Sequence, residues 1–243
     1  MKKQFIFLLV SMLAIFTMPT CIIEGDGPFW DCESGTGPEV EAVLDVPFFT
    51  GVRLEANARV FITQGDNFEV VAKGDENIIN LLQLDVQNNT WTIEFSHCVN
   101  NYDLEIYITM PEIDLLSISG SGEMVGENFF DTEDIVLRIS GSGNICLGLF
   151  SETIDGKISG SGEIELEGTA EFLDFAISGS GDLKAFPLIA SKADISISGS
   201  GDAAVHVLEI LDVSISGSGN VFYKGHPILN VTISGSGDVI DAN

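Results

Sequence analysis

Four aspartates recur at nearly equal spacing in the second half of the chain, Asp155, Asp174, Asp194 and Asp212, and Asn230 continues the series. A second acidic series, Glu163, Asp182 and Asp202, follows successive Ser-Gly-Ser-Gly runs. Carboxylates held in rows repel one another by about 1 kcal/mol at ~4 Å in water and by more in less polar surroundings. A bound cation relieves that repulsion, and calcium, with about six to eight oxygen ligands, suits such rows if serine hydroxyls and carbonyls assist. The spacing differs from the shorter nonapeptide repeat of calcium-binding toxin rolls. The competing reading is a solvated acidic face that keeps a repeat protein dispersed.

Other residue types point away from catalysis. The serines of the runs, Ser119 to Ser234 and Ser121 to Ser236, would need an adjacent base to act as nucleophiles. Of His97, His206 and His226, only His206 falls well inside the repeats, and no Gly-x-Ser-x-Gly elbow is present. Hydrogen-bonded serine ladders are the expected role. A polysaccharide lyase would want a basic residue among acids, for which Arg138 and Lys157, near Asp155 and Asp174, are the candidates. Long loops that would break the repeat into a catalytic cleft are missing. The leading expectation is therefore a non-enzymatic protein, with a carbohydrate-active enzyme using the acidic columns, or a purely structural self-associating protein, as alternatives. No resident cofactor is expected beyond the calcium already weighed.

The element that positions these residues is a repeat. Ile-Ser-Gly-Ser-Gly begins at Ile118, Ile139, Ile158, Ile177, Ile197, Ile215 and Ile233, a period near 19, and each copy is followed by an acid or its amide. Recurrence at this period means stacked units, none of which buries its apolar face alone. Within a unit, apolar residues alternate on both sides of the motif, as Ile135, Leu137, Ile139 and then Ile145, Leu147, Leu149. Period two means strand. Extended geometry through the motif places both glycines on the inner side, where they permit a tight corner or a positive φ. The predicted inner columns run Met124, Ile145, Ile164, Leu183, Ala203, Val221, Val239 and Leu116, Leu137, Gly156, Phe175, Ile195, Val213, Val231. Turns stacked ~4.8 Å apart give a rod of roughly 35 Å for the seven copies. Antiparallel hairpins are the rival reading.

Upstream, residues 40–112 show short alternating segments at 52–54, 60–62, 68–71, 82–86, 91–95 and 104–108, with a helical hint at 77–82. These are expected to form irregular first turns of one β-helical domain spanning 40–243, whose regular repeats occupy 113–243. Residues 21–39 are rich in Gly, Pro and acids and are expected to be a tether. Residues 1–20 combine Lys2 and Lys3, an apolar run and a short polar stretch, the pattern of a secretory signal. Cys21 directly after it resembles the bacterial lipoprotein signal, although Pro19 and Thr20 replace the small residues preferred there; simple secretion is the alternative to lipidation. Export permits disulfides, and Cys32 with Cys98 is the expected pair. A formal charge of -27 opposes nucleic acid and anionic headgroups as partners.

The seven Ser-Gly-Ser-Gly turns, the entry at Ile108-Thr109-Met110-Pro111 and the segment Tyr223-Lys224-Gly225-His226-Pro227 resemble the bacterial family called putative auto-transporter adhesin, head GIN domain. The resemblance extends over about residues 45–240. It implies an all-β, right-handed parallel β-helix on envelope proteins, often lipoproteins. The implied role is to present a solenoid surface to an extracellular or envelope ligand, glycan or protein, from the cell envelope, with the outer membrane as the expected site. The family supplies no catalytic residues. Membrane contact is expected through the lipid anchor only, and self-association is expected through the C-terminal turn, whose strand edge lies uncovered.

Overall fold

The computed structural model describes residues 32–243, and these form a parallel β-solenoid of about seven turns. The signal segment, Cys21 and most of the expected tether lie outside the described residues. The N-terminal part comprises β1 (Glu33–Ser34), β2 (Glu39–Val43), β3 (Gly51–Leu54), β4 (Arg59–Gln64), β5 (Glu69–Asp75), α1 (Glu76–Ile79), β6 (Val86–Gln87), β7 (Thr90–Ile93), β8 (Val99–Asn100) and β9 (Leu104–Met110). The repeats form β10 (Leu115–Gly120), β11 (Glu123–Gly141), β12 (Asn144–Gly160), β13 (Glu163–Gly179), β14 (Asp182–Gly199), β15 (Ala203–Gly217), β16 (Val221–Lys224), β17 (Ile228–Gly235) and β18 (Val239–Asp241).

Every pairing between copies of the motif is parallel and in register, Ile118 on Ile139, Ile139 on Ile158, Ile158 on Ile177, and onward to Ile215 on Ile233. The hairpin reading is thereby excluded. The inner columns run as the alternation predicts, and their members are buried from Leu116 and Met124 through Val213 and Val221. Each large apolar side chain so covered contributes about 1.5–3 kcal/mol. Volume is balanced between neighbouring turns, because Phe175 packs into the space over Gly156, where an added Cβ would meet the ring at 2.1 Å.

The corner differs from the extended-chain expectation. Only the second glycine of each motif is buried; the first, from Gly120 to Gly235, has φ between +132° and +145°. That turn breaks the alternation, so the first glycine lies edge-on over the carbonyl of its predecessor instead of facing the interior. The amide of the following serine donates to the same carbonyl at 2.8 Å in six successive turns, beginning with Ser142 to Gly120 and ending with Ser236 to Gly217. The serine hydroxyls do not form the expected ladder. The serine side chains face outward, and among the described residues the ladder is made by their backbone amides.

The N-terminal strands continue the stack only in part. Parallel pairs join β3 to β7 and β10, and β4 to β9 and β11. Strand β5 instead lies antiparallel between β2 and β9, which adds a flap that the sequence pattern does not announce. The expected strand at 82–86 shrinks to a bridge between Leu82 and Phe95 plus β6. The ordered body begins before residue 40: Cys32 is bonded to Cys98, and β1 pairs with β8. Closing a loop of 66 residues stabilises the fold by on the order of 4 kcal/mol in the chain-entropy account.

The corner geometry makes a specific stability prediction. An alanine Cβ at Gly179 would lie 2.4 Å from the Gly160 carbonyl oxygen, so Gly179→Ala is expected to cost about 1–3 kcal/mol in urea denaturation. Ser178→Ala, on an exposed side chain one residue earlier, should stay within about 0.5 kcal/mol. Equal losses in the two variants would remove this account of the corner.

Candidate functional site

The structure places Asp155, Asp174, Asp194 and Asp212 directly over one another, with Asn230 as the next rung. The row is partnered at both ends by the chain itself, by a charge at one and by a neutral amide at the other. The Arg138 guanidinium pairs with the Asp155 carboxylate and donates to the Asp155 carbonyl at 2.7 Å. At the other end Asn230 Nδ2 donates to Asp212 Oδ1 at 2.7 Å. Between them Asp194 is held above the usual aspartate range, first by burial and then by the charges of Asp174 and Asp212. Arg138 and Lys157 are stacked neighbours, as the register predicts, but Arg138 is committed to Asp155 and is not poised as a lyase base.

The second acidic row is divided between two structural tasks. The Asp202 amide donates to Asp182 Oδ1 at 3.0 Å, the Asn220 amide to Asp202 Oδ1 at 2.7 Å and the Asp238 amide to Asn220 Oδ1 at 3.1 Å. In the preceding turns the corresponding amides of Asn144, Glu163 and Asp182 bond to the carbonyl of the motif's second glycine. Short Asp and Asn side chains thus take over a backbone acceptor's role where the corner geometry changes. Glu163 instead receives Lys184 at 2.7 Å, and Glu165 receives it at 3.0 Å, so that the Lys184 pKa is pushed up to about 12 by these bonds. Stacking gives rows, not shells: among the described residues no three His, Cys, Asp or Glu side chains converge on a point that could hold a metal ion. Asp155, Asp174, Asp194, Asp212, Glu163, Asp182 and Asp202 are thus arranged as rows along the turns, each carboxylate one rung from the next.

A serine, a histidine and a carboxylate do line up near the disulfide. Ser96 Oγ lies 3.1 Å from His97 Nδ1, and His97 Nε2 lies 3.4 Å from Glu33 Oε2. The serine and histidine are sequence neighbours, and both His97 and Glu33 are well exposed at 53% and 41%. The Glu33 pKa is lowered first by a hydrogen bond from Asn77, which holds the loop, and then by His97. This is a surface contact that fastens β1. Cys146 is the free thiol of the described residues, and burial followed by the charges of Glu165, Glu167, Glu123 and Glu163 raises its pKa, which disfavours the reactive thiolate. It borders an apolar groove of about 620 Å³ with Leu147, Leu166, Phe186 and Pro187.

The more polar concavity, also about 620 Å³, lies where the N-terminal strands meet the first corners. Its walls come from the start of β4 (Arg59), the end of β5 (Lys73, Asp75), the turn into β9 (Tyr102, Asp103) and the start of that strand (Glu105), and the corner before β11 (Ser121) with the strand's first residue (Glu123). Glu105 organises one wall: it pairs with Arg59, accepts Lys73 at 3.3 Å and accepts the Tyr107 hydroxyl at 2.9 Å. The Tyr107 bond, ahead of Lys73 and Arg59, keeps the Glu105 pKa low. Arg59, Lys73, Glu105 and Tyr107 stand outside the repeat, and sequence reasoning missed them as a group. Only the alternation of charge across paired strands, Lys73 opposite Glu105 and Glu105 opposite Arg59, marks them out, and it becomes visible once the pairing is known.

This fold and these surfaces define a class: a β-solenoid with exposed polar rows on its sides. The chain belongs to the family described as putative auto-transporter adhesin, head GIN domain, whose model matches residues 48–227. A putative adhesin from Bacteroides fragilis NCTC 9343 has a solved structure similar to this one, with a TM-score of 0.79 and 25% identity over 85% of this chain and 98% of that one. At lower identity, where the likeness shows the fold alone, stand a putative adhesin from Parabacteroides merdae ATCC 43184 and a protein described as a putative lipid binding protein from Parabacteroides distasonis ATCC 8503. The first has a TM-score of 0.71 and 20% identity over 87% of this chain and 100% of that one. The second has a TM-score of 0.71 and 23% identity over the same shares. Among curated proteins no sequence matches.

The aspartate row predicts a pH effect. A carboxyl group whose folded pKa is raised weakens the fold as it ionises, so Asp194 is best tolerated below the ordinary value of 3.8 and opposes folding as pH rises through its raised value. Asp194→Asn is therefore expected to stabilise the protein at neutral pH by up to about 1 kcal/mol, the size of one neighbouring Coulomb repulsion in water. The gain should shrink on acidification. Thermal melts of both proteins across the acid range check this, and a gain that persists in strong acid would show that charge is not its origin.

Proposed function

We propose that this protein is a non-enzymatic binding module of the bacterial cell envelope. In this reading residues 1–20 are removed on export, Cys21 is lipidated, and the solenoid stands off the outer membrane on a tether, offering its sides to a glycan or protein ligand. The supporting observation is how the polar side chains are spent. Arg138, Asn230, Asp182 and Asp202 serve the fold, which leaves a rigid body whose repeated outer rows favour extended contact over a single reaction centre. Membership of an adhesin-named family and the secretory pattern of the N-terminus point the same way.

Beads carrying the mature protein are expected to be captured saturably by at least one member of an array of extracellular-matrix proteins and glycans, with and without calcium alike. An array with no captured spot would defeat the adhesion reading. For the anchor, mass spectrometry of the native N-terminus should find an acylated Cys21, and Cys21→Ser should move the protein from the membrane to the soluble fraction; an unmodified Cys21 in the membrane fraction would contradict it.

A structural role through self-association is supported by a separate observation. Strand β17 is exposed along its whole length, including Leu229 at 38%, Val231 at 44% and Ile233 at 41%, residues that continue columns buried elsewhere. Such an apolar strand with unpaired backbone groups is a template for another strand. Two copies meeting through β17 about a two-fold axis use the same strand on each side and form a closed pair instead of a fibre. Light scattering of the concentrated protein is expected to show a dimer that Val231→Lys dissociates, whereas a strict monomer would refute the pairing.

A further inference from the structure

The geometry points to a docking site for a basic amphipathic helix of a partner protein, in the apolar groove beside the bulge of β14 and along the exposed apolar strip next to it. This rests on the binding-module reading and names a partner class and a place for it. The groove exists because one turn departs from the repeat. Lys184 pairs with Glu165 and Leu188 with Gly168, so β14 carries one more residue than β13 across this stretch and the register slips. Phe186 and Pro187 fill the slip, and Pro187 has no amide with which to restore the ladder. With Leu147 and Leu166 they line a groove of about 620 Å³.

The strip runs beside the groove, two or three residues further along β12, β13 and β14 than Leu147, Glu167 and Pro187. Phe150, Thr169 and Ile189 share a column there. The Phe129 ring stacks on Phe150, with centroids 5.2 Å apart and planes 19° from parallel. Phe172 and Leu208 take the next outward positions, past the buried Ala170 and Val207. These five are the exposed large apolar side chains of β11 to β15, one to a turn; the others among the described residues are Val43 and Phe48 near the start and those from Ile228 to Ile240 in the last turn. Exposed apolar residues scattered singly are ordinary, whereas a contiguous strip marks an interaction surface.

The surrounding charge selects the occupant. Glu133, Glu152, Glu171 and Glu209 stand exposed along the strip, and Glu167 stands on the groove wall. Among the described residues none of these five has an ion-pair partner. The lysines nearby are fewer and mostly engaged: Lys184 is held by Glu163 and Glu165, Lys224 lies over the Phe186 ring at 4.6 Å, and Lys192 sits opposite Phe172. A second copy would bring the same acids against this surface, and an anionic lipid surface would be repelled by it. A partner with Lys or Arg beside its apolar side chains satisfies both features. The spacing selects the partner's form. Strands stack ~4.8 Å apart, so the strip from β11 to β15 is roughly 19 Å long. A helix presents an apolar side chain on one face about every 5.4 Å, and over that length the two rows differ by only about 2–3 Å. Same-face residues of an extended strand recur every ~6.8 Å and fall out of step by roughly 8 Å. An amphipathic helix laid in an apolar groove, with its charges at the rim, fits this surface.

Titration calorimetry of the full mature protein tests the assignment with a leucine-lysine peptide of about fourteen residues, patterned to place its leucines on one face of a helix about 21 Å long. A scrambled peptide of the same composition and a leucine-glutamate peptide of the same pattern are the controls. The patterned basic peptide should bind at least about tenfold more tightly than either control, and Phe150→Ser and Glu167→Lys should each weaken it by about fivefold or more. Glu55→Lys makes the same change of charge on an exposed residue after β3, away from the strip, and should leave the affinity within about twofold of the parent. Thermal melts confirm that each variant is folded. No binding, equal binding of the scrambled peptide, binding untouched by Phe150→Ser, or a loss with Glu55→Lys as large as with Glu167→Lys would each overturn the assignment. So would phosphatidylglycerol vesicles that bind the parent but not Phe150→Ser, which would give the strip to a lipid surface, or a dimer that Phe150→Ser dissociates and Val231→Lys does not, which would give it to a second copy. Bead capture by matrix proteins or glycans without peptide binding defeats this site and leaves adhesion standing, and peptide binding with an empty array does the reverse.

Discussion

The structure depends on one contact repeated at each corner: a serine amide bonded to the carbonyl of the first glycine in the turn before. Six of these bonds share the length of 2.8 Å. A side chain on that glycine would occupy the place of the carbonyl it sits over, at 2.0–2.4 Å from Gly141 through Gly235. The corner thus fixes registration along the axis and residue identity together. Because side chains in strands alternate with period two, a slip of one residue would turn every inner column outward, and the corner bond prevents it.

Once the register is fixed, columns form on both sides of the wall and obey different rules. Inside, close packing sets the sizes, so Gly156 yields to Phe175 in the next turn. Outside, like charges are stacked at the spacing of the strands, and the chain relieves the row at its ends with Arg138 and Asn230 while Asp194 bears the remaining repulsion. Part of the second acidic row becomes an acceptor for backbone amides. Repetition therefore accounts for the two acidic rows, and it sets them on the outer side of the wall.

Concavity appears where repetition ends. Strand β5 runs against the direction of its neighbours and folds a flap over the starts of β4 and β9. The shallow wall of the solenoid becomes a cleft there, with Glu105 holding Arg59, Lys73 and Tyr107 in fixed positions. A regular surface suits broad contact, and an irregular one can enclose a defined ligand; this chain joins the two in one body.

The amino-acid sequence by itself determined the solenoid, its parallel register, the members of the inner columns and the stacking of the aspartates, because each follows from a short pattern that recurs at one period. It could not show that the first glycine leaves the inner face, since strict alternation fails once φ turns positive. Nor could it show that the motif's amides, not its hydroxyls, make the ladder. The cleft was beyond its reach for a different reason. Arg59 and Glu105 are 46 residues apart, and Lys73 and Glu105 are 32 apart, with no repeated spacing to relate them. Only the antiparallel insertion of β5 and the in-register pairing of β4 with β9 bring these side chains together, and that pairing is a decision of the whole fold, made by burial of the apolar faces behind them.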